Sequence, residues 1–226
     1  MTVSTIVRSE LILGGQKSGK SRRAELLARQ WLGQGADHRA VLIATAQPWD
    51  DEMRARIARH QADRAERVPG MATVEEPLAL AQAITQHSTP QTLLVVDCLT
   101  LWLTNLLMPS TAHEHQPHQG RRAECFAQVK GERAQHAGDA EPNTQSFCPI
   151  APVNATQNAM LLVAIQQALG PVVLVGNEIG LGVIPLGREV RAFVDALGRL
   201  NQDVAAVCQR VTLMAAGLPL FLKNAP

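Results

Sequence analysis

Tyrosine is absent from this sequence, and aromatic residues make up only 3% of it. That leaves little material for the stacked-base platforms on which single-stranded nucleic acid is held. An excess of one charge sign is missing too. Twenty-one Lys and Arg face twenty Asp and Glu, for a net charge of +1, so no global field gathers nucleic acid or anionic membrane and any anion must be bound locally. No apolar run approaches the ~18 residues of a membrane span. Met1 to Glu10 lacks the basic-then-apolar pattern of an export signal. A soluble, cytoplasmic protein with no membrane span and no nucleic-acid partner is expected. The four cysteines, Cys98, Cys125, Cys148 and Cys208, are scattered without a C-x-x-C spacing, which argues against a zinc site or a disulfide framework and for reduced thiols.

What is present is a phosphate-binding loop. The apolar run Leu11-Ile12-Leu13 leads into Gly14-Gly15-Gln16-Lys17-Ser18-Gly19-Lys20-Ser21, a full match to G-x-x-x-x-G-K-[ST]. Glycines there let the backbone turn with positive φ and bring its N–H groups against phosphate oxygens. Lys20 would reach the outer phosphates, and the Ser21 hydroxyl is of the kind that ligates Mg2+. The context fits, since a strand leads in and Arg22 to Leu32 reads as a helix whose N-terminus points at the anion. The length of 226 residues suits a single domain.

Along the chain, Ala24, Leu26, Leu27, Trp31 and Leu32 recur at helical spacing, and Ala40 to Ala46 is a continuous apolar strand of the kind covered on both faces. Pro48 and Asp50-Asp51-Glu52 open a helix with acids in its first turn. Met53, Ile57 and His60 follow at i, i+4 and i+7, which predicts His60 on or near an apolar face. Thr92 to Val96 is a strand ending in Asp97, so Asp97 is expected near Ser21 to help hold Mg2+. Leu99 to Met108 reads as an apolar helix carrying Asn105. From Pro109 to about Asn154 the composition turns to His, Gln, Ala, Pro and Gly, which predicts a mobile insertion. A helix over Ala159 to Leu169 and a buried strand from Pro171 to Val175 follow. Asn177-Glu178-Ile179-Gly180-Leu181-Gly182 is then a loop at a strand's carboxyl end, where open α/β sheets bind ligands. A helix is expected over Arg188 to Arg210 with Val190, Phe193, Val194, Leu197, Val204 and Val207 inward. Val211 to Ala215 and Leu218 to Leu222 read as closing strands, joined by Gly217 in antiparallel fashion. The fold class is α/β: a P-loop NTPase, RecA-like, with a mostly parallel central sheet flanked by helices.

The order of these motifs resembles the bifunctional adenosylcobinamide kinase and adenosylcobinamide-phosphate guanylyltransferase family of cobalamin biosynthesis. The resemblance rests on the loop itself, Ile43-Ala44-Thr45-Ala46, Asp50-Asp51-Glu52-Met53 with Arg56-Ile57 and His60, and Thr73-Val74-Glu75-Glu76-Pro77. It continues through Asp97-Cys98-Leu99-Thr100 with Trp102 and Asn105, Asn177 to Gly182 with Pro185, Gly198 with Asn201-Gln202, and Gly217-Leu218-Pro219. Met71 stands where the family usually has Trp. The resemblance implies a two-step activity. The aminopropanol hydroxyl of adenosylcobinamide is phosphorylated with ATP or GTP, then GMP is transferred from GTP to that phosphate through a guanylylated histidine. His60 occupies the place of that histidine. A neutral imidazole is a competent nucleophile near pH 7, whereas a hydroxyl needs a dedicated base. The resemblance further implies nucleotide contacts from Ala44, Thr45, Ala46, Gln61, Ala62, Asp63, Arg64, Glu75 and Asp97, and assembly as a homotrimer.

Three other readings compete on the sequence alone. One is a P-loop kinase of another small hydroxylated metabolite, without guanylyl transfer. Another is a RecA-like module that couples hydrolysis to movement on nucleic acid, which balanced charge and scarce aromatics disfavour. The third is a nucleotide-binding regulator without turnover.

Overall fold

The computed structural model describes residues 5–48, 50–108, 151–182 and 185–224. The histidine-rich stretch expected to form an insertion, with Cys125 and Cys148, lies outside the described residues. In chain order the elements are β1 (Ser9–Gly14), α1 (Lys20–Leu32), β2 (Arg39–Ala44), α2 (Asp51–Arg67), β3 (Ala72–Glu75), α3 (Leu80–His87), β4 (Thr92–Asp97) and α4 (Leu99–Leu107). From residue 151 onward come α5 (Ala151–Gln167), β5 (Val172–Val175), α6 (Arg188–Val207), β6 (Arg210–Ala215) and β7 (Leu218–Asn224). Helix α5, expected over Ala159 to Leu169, instead starts at Ala151 and ends at Gln167.

Among the described residues seven strands join one sheet in the order β3-β2-β4-β5-β1-β6-β7. Every pairing is parallel except β6 with β7. The apolar runs explain the parallel part: β1 and β5 are buried at every position and β4 at all but Asp97, as strands covered by helices on both faces must be. One core cluster sets α3, α4, α5 and α6 against one face through Ile84, Trp102, Leu161 and Leu200. The other sets α1 against the opposite face through Ala24, Leu27 and Ala28. Strand β5 lies between β1, which bears the phosphate loop, and β4, which ends in Asp97. One strand therefore separates the two strands that carry the site residues. The β6–β7 hairpin turns through Ala216 at φ 49 and Gly217 at φ 80, the positive-φ pair that a two-residue turn demands.

Three inward placements read from periodicity are corrected. Leu26 is 57% exposed, because α1 buries the stripe Lys20, Ala24, Leu27 and Ala28 and Leu26 points away from it. Val190 is 48% exposed, because the first turn and a half of α6 is solvent-exposed and the helix buries only its later turns, at Leu197, Leu200, Asn201 and Val204. His60 is exposed as well. It shares a helical stripe with half-buried Met53 and Ile57 and with buried Arg64, yet nothing among the described residues covers it. Helix α2 is capped by Asp50, whose side chain accepts from the Met53 N–H at 2.7 Å. Its far end is anchored by the Arg67–Glu25 ion pair at 3.0 Å to α1 and by buried Val68.

Candidate nucleotide site at the carboxyl edge of the sheet

The loop between β1 and α1 has the backbone its sequence demands. Gly14 sits at φ 149, Lys17 at φ 57 and Gly19 at φ 101. A Cβ on Gly14 would lie 2.5 Å from the Met214 carbonyl oxygen and 2.6 Å from Ser18 Oγ, so only glycine fits the start of the loop. Gly19 is the N-cap of α1, which leaves the helix's first N–H groups facing the loop's concavity. The tip of the β6–β7 hairpin braces it from outside, the Gly217 N–H donating to the Ser18 carbonyl at 3.0 Å.

Lys20 is nearly buried and its Nζ donates to the Gly15 carbonyl at 2.6 Å, which curls the ammonium over the loop. Burial lowers its pKa, with the charges of Cys98 and Asp97 pulling the other way. Ser18 Oγ is enclosed without a hydrogen-bond partner among the described residues. Ser21 Oγ donates to Asp97 Oδ2 at 3.4 Å. A hydroxyl beside a carboxylate is a hard-oxygen donor pair that suits Mg2+, an ion that keeps several waters and takes few protein ligands. The two predicted metal ligands are thus brought together.

Asp97 is fixed by a network behind it. Thr45, fully buried, donates to the Cys98 carbonyl and accepts from the Cys98 N–H, both at 2.8 Å. Its carbonyl accepts from Asn105 Nδ2 at 2.8 Å, and that amide also donates to the Pro77 carbonyl at 3.1 Å. Asn105, on α4, therefore links two loops of the carboxyl edge. Burial raises the Cys98 thiol to about 11 and the Cys208 thiol to about 12, so neither behaves as a nucleophile.

The remaining predicted residues fall into two groups. Ala44 is level with Asp97 on one side and Glu75 on the other, with Thr45 and Ala46 following, so these line the same edge as the loop. Gln61, Ala62, Asp63 and Arg64 lie on α2 with His60. Gln61 Nε2 reaches Glu75 Oε1 at 3.5 Å, Asp63 pairs with Arg67 at 3.0 Å, and Arg64 is buried with Nε unpartnered. No hydrogen bond or ion pair among the described residues ties His60 or Ala62 to the loop. His60 stands ~14 Å along the axis from the start of α2.

The sequence marked the Asn177 to Gly182 loop as a ligand-binding position but gave Glu178 no role of its own. Its N–H donates to the Gly14 carbonyl at 3.2 Å, which places it directly on the phosphate loop. The available signal was its position just past a buried strand. A cavity of about 800 Å³ opens elsewhere, among α4, α5 and α6, lined by Leu103, Leu107, Leu162 and Phe193; no loop residue borders it. Among the described residues no helix is long and apolar enough to cross a membrane.

Comparison with known proteins bears on this site. Residues 10–222 match the family model described as cobinamide kinase / cobinamide phosphate guanyltransferase. The bifunctional adenosylcobalamin biosynthesis protein CobP of Pseudomonas aeruginosa is 38% identical over 217 residues, covering 96% of this chain and 98% of the relative. The bifunctional adenosylcobalamin biosynthesis proteins CobU of Escherichia coli and Salmonella typhimurium are each 32% identical over 213 residues, covering 94% of this chain and 98% of each relative.

Proposed function

The chain belongs to the cobinamide kinase / cobinamide phosphate guanylyltransferase family, and from that premise we propose that it phosphorylates the aminopropanol hydroxyl of adenosylcobinamide with ATP or GTP and then transfers GMP from GTP to the phosphate, giving adenosylcobinamide-GDP. The loop amides of Gly14 to Ser21 and the Lys20 ammonium hold the phosphates. Ser21 and Asp97 would hold Mg2+, which supplies neutralisation of the charge that builds on the leaving phosphate oxygens. Ala44, Ala46 and Glu75 border the nucleotide along the strand ends, buried Thr45 shapes that edge from behind through its bonds to Cys98, and Gln61 to Arg64 contact it from α2.

The two reactions use one nucleotide position and two lines of attack. In the first, the substrate hydroxyl meets the γ-phosphorus in line with the departing nucleoside diphosphate. In the second, the His60 imidazole attacks the α-phosphorus of GTP, a nitrogen–phosphorus bond forms and pyrophosphate leaves. An oxygen of cobinamide phosphate then displaces the imidazole, which splits one hard displacement into two easier ones.

The observation that carries this reading is the placement of His60. It shares a stripe with buried Arg64 while remaining exposed, so the imidazole is open to a ligand on the side of the helix that turns toward the protein. Helix α2 buries only Arg64 along its length, so a swing of the helix would uncover little apolar surface. The reading takes the chain as a single P-loop domain with an insertion beginning at about residue 109, acting in the cytoplasm as a homotrimer. Exposed Leu218, Leu220, Phe221 and Leu222 on edge strand β7 support self-association. The deciding experiment is incubation with GTP labelled at the α-phosphate, scored for acid-labile, base-stable label on the protein and for its transfer to cobinamide phosphate.

A further inference from the structure

The loop after β5 carries chemistry that the two-step reading leaves unused. In the sheet, Val175 is level with Ile12 of the loop-bearing strand on one side and with Asp97 on the other. The chain leaving Val175 therefore emerges between the phosphate loop and the Asp97 strand end. Three hydrogen bonds hold Asn177 and Glu178 there. The Asn177 N–H donates to Thr100 Oγ1 at 2.9 Å, its carbonyl accepts from Asn201 Nδ2 at 3.1 Å, and the Glu178 N–H donates to the Gly14 carbonyl at 3.2 Å. Glu178 is thus held by elements on both sides of the site, with buried Asn201 beneath it.

Its carboxylate is left open. Oε2 makes one long contact, 3.4 Å from Asn201 Nδ2, and no Lys, Arg or His among the described residues comes within ion-pair distance of it. The loop is also cut back around it, since a Cβ on Gly180 would lie 3.3 Å from Oε1. Buried Glu10 and Glu25, by contrast, are paired with arginines. A carboxylate without an ion-pair partner, on a residue whose backbone N–H is bonded to the phosphate loop, adds negative charge near a site that holds a polyanion and opposes binding by charge repulsion, so this position is costly unless the group accepts something from the reaction. Asp97 is already engaged by Ser21.

Building on the two-step function above, we propose that Glu178 is the catalytic base of the phosphoryl-transfer step. As the substrate hydroxyl oxygen bonds to the γ-phosphorus, its proton passes to the Glu178 carboxylate. The bond from that phosphorus to the β–γ bridging oxygen breaks, and the nucleoside diphosphate leaves with the electron pair. The carboxylic acid then returns its proton to solvent. Guanylylation of His60 needs no hydroxyl deprotonated and does not use Glu178.

The test compares the full-length wild-type protein with Glu178→Gln and Glu178→Asp in three readouts: phosphorylation of adenosylcobinamide, protein label from α-labelled GTP, and GTP affinity by calorimetry without acceptor. The Gln variant should lose about 10²–10⁴-fold in kcat for phosphorylation, the range a positioned base contributes, with KM and GTP affinity within about threefold of wild type, and it should take up GMP label normally. The Asp variant should recover part of the rate. Phosphorylation by the Gln variant within threefold of wild type would overturn the proposal. So would a parallel fall in phosphorylation, label and GTP affinity, which would make Glu178 a prop for the loop. A wild-type protein that phosphorylated no adenosylcobinamide would instead fail the function reading itself, before any variant was compared.

Discussion

Ser21 and Asp97 lie 76 residues apart in the chain, and in the fold the Ser21 Oγ donates to Asp97 Oδ2 at 3.4 Å. The pairing follows from the topology: α1 begins where β1 ends, β4 ends on the same edge, and only β5 stands between those strands. Asp97→Asn and Ser21→Ala should each raise the Mg2+ concentration needed for half-maximal phosphorylation by more than tenfold, since even outer-shell partners of a metal cost about 10–100-fold. GTP binding measured in EDTA should change little, because the loop amides and Lys20 remain. A Mg2+ titration identical to wild type in both variants would remove the proposed metal site.

Gly14 offers a test of loop geometry with its own control. A Cβ there meets a carbonyl oxygen and a hydroxyl inside 2.7 Å at a φ of 149, while one on Gly15 meets nothing within 4 Å. Gly14→Ala should cost about 1–3 kcal/mol of stability and most of the nucleotide affinity. Gly15→Ala should unfold like wild type in urea. Equal stability of the two variants would mean the loop tolerates what its geometry forbids.

Glu10 is 1% exposed and sits between Arg23, at 2.8 Å, and Arg210, at 3.4 Å, while Thr212 donates to it at 2.8 Å. Both arginines also stack on Phe221 of the edge strand. Glu10→Ala removes the buried carboxylate that two guanidinium groups share and should cost about 3–5 kcal/mol. Asp51→Ala, which breaks the exposed pair with Arg54, should cost less than about 1 kcal/mol. Chemical denaturation of both variants would distinguish a structural ion cluster from a surface ornament.

Alkaline pH should weaken the fold through its buried thiols. The pKa of Cys98 rises from 9.0 to about 11 and that of Cys208 from 9.0 to about 12, so the unfolded chain releases these protons first. Their contribution is fully present below pH 9 and is lost as pH rises through the folded values. Wild type should therefore lose more stability between pH 8 and pH 10 than Cys208→Ala does. Equal losses in the two proteins would contradict the burial argument.

Much of this site was readable from sequence because its parts are local. The glycine–lysine–serine spacing dictates a loop whatever surrounds it, and an apolar run ending in Asp97 announces a buried strand with an acid at its tip. The turn at Gly217 announced the antiparallel pair. Strand order was not readable, because the placing of β5 between β1 and β4 is a long-range outcome. The nearness of Glu178 to Gly14 depends on that order. Exposure misled for the complementary reason: Val190 and His60 both fit an apolar period, but a period gives a face without saying whether anything packs against it. Trp102 and Asn105 show how a polar network hides in an apolar helix: the Trp102 Nε1 donates to the Leu78 carbonyl at 2.9 Å, while Asn105 bridges two loops.

The central claim is that His60, exposed on α2, carries the guanylyl group in the second reaction and takes no part in the first. The most direct test treats wild type and His60→Ala with α-labelled GTP and maps the label by peptide mass spectrometry, with adenosylcobinamide phosphorylation followed in parallel. The account predicts acid-labile label on His60 in wild type, none in the variant, no pyrophosphate released from GTP by the variant, and phosphorylation within a few-fold of wild type. Label persisting in His60→Ala would contradict it, and the nucleophile would have to be sought elsewhere on the chain.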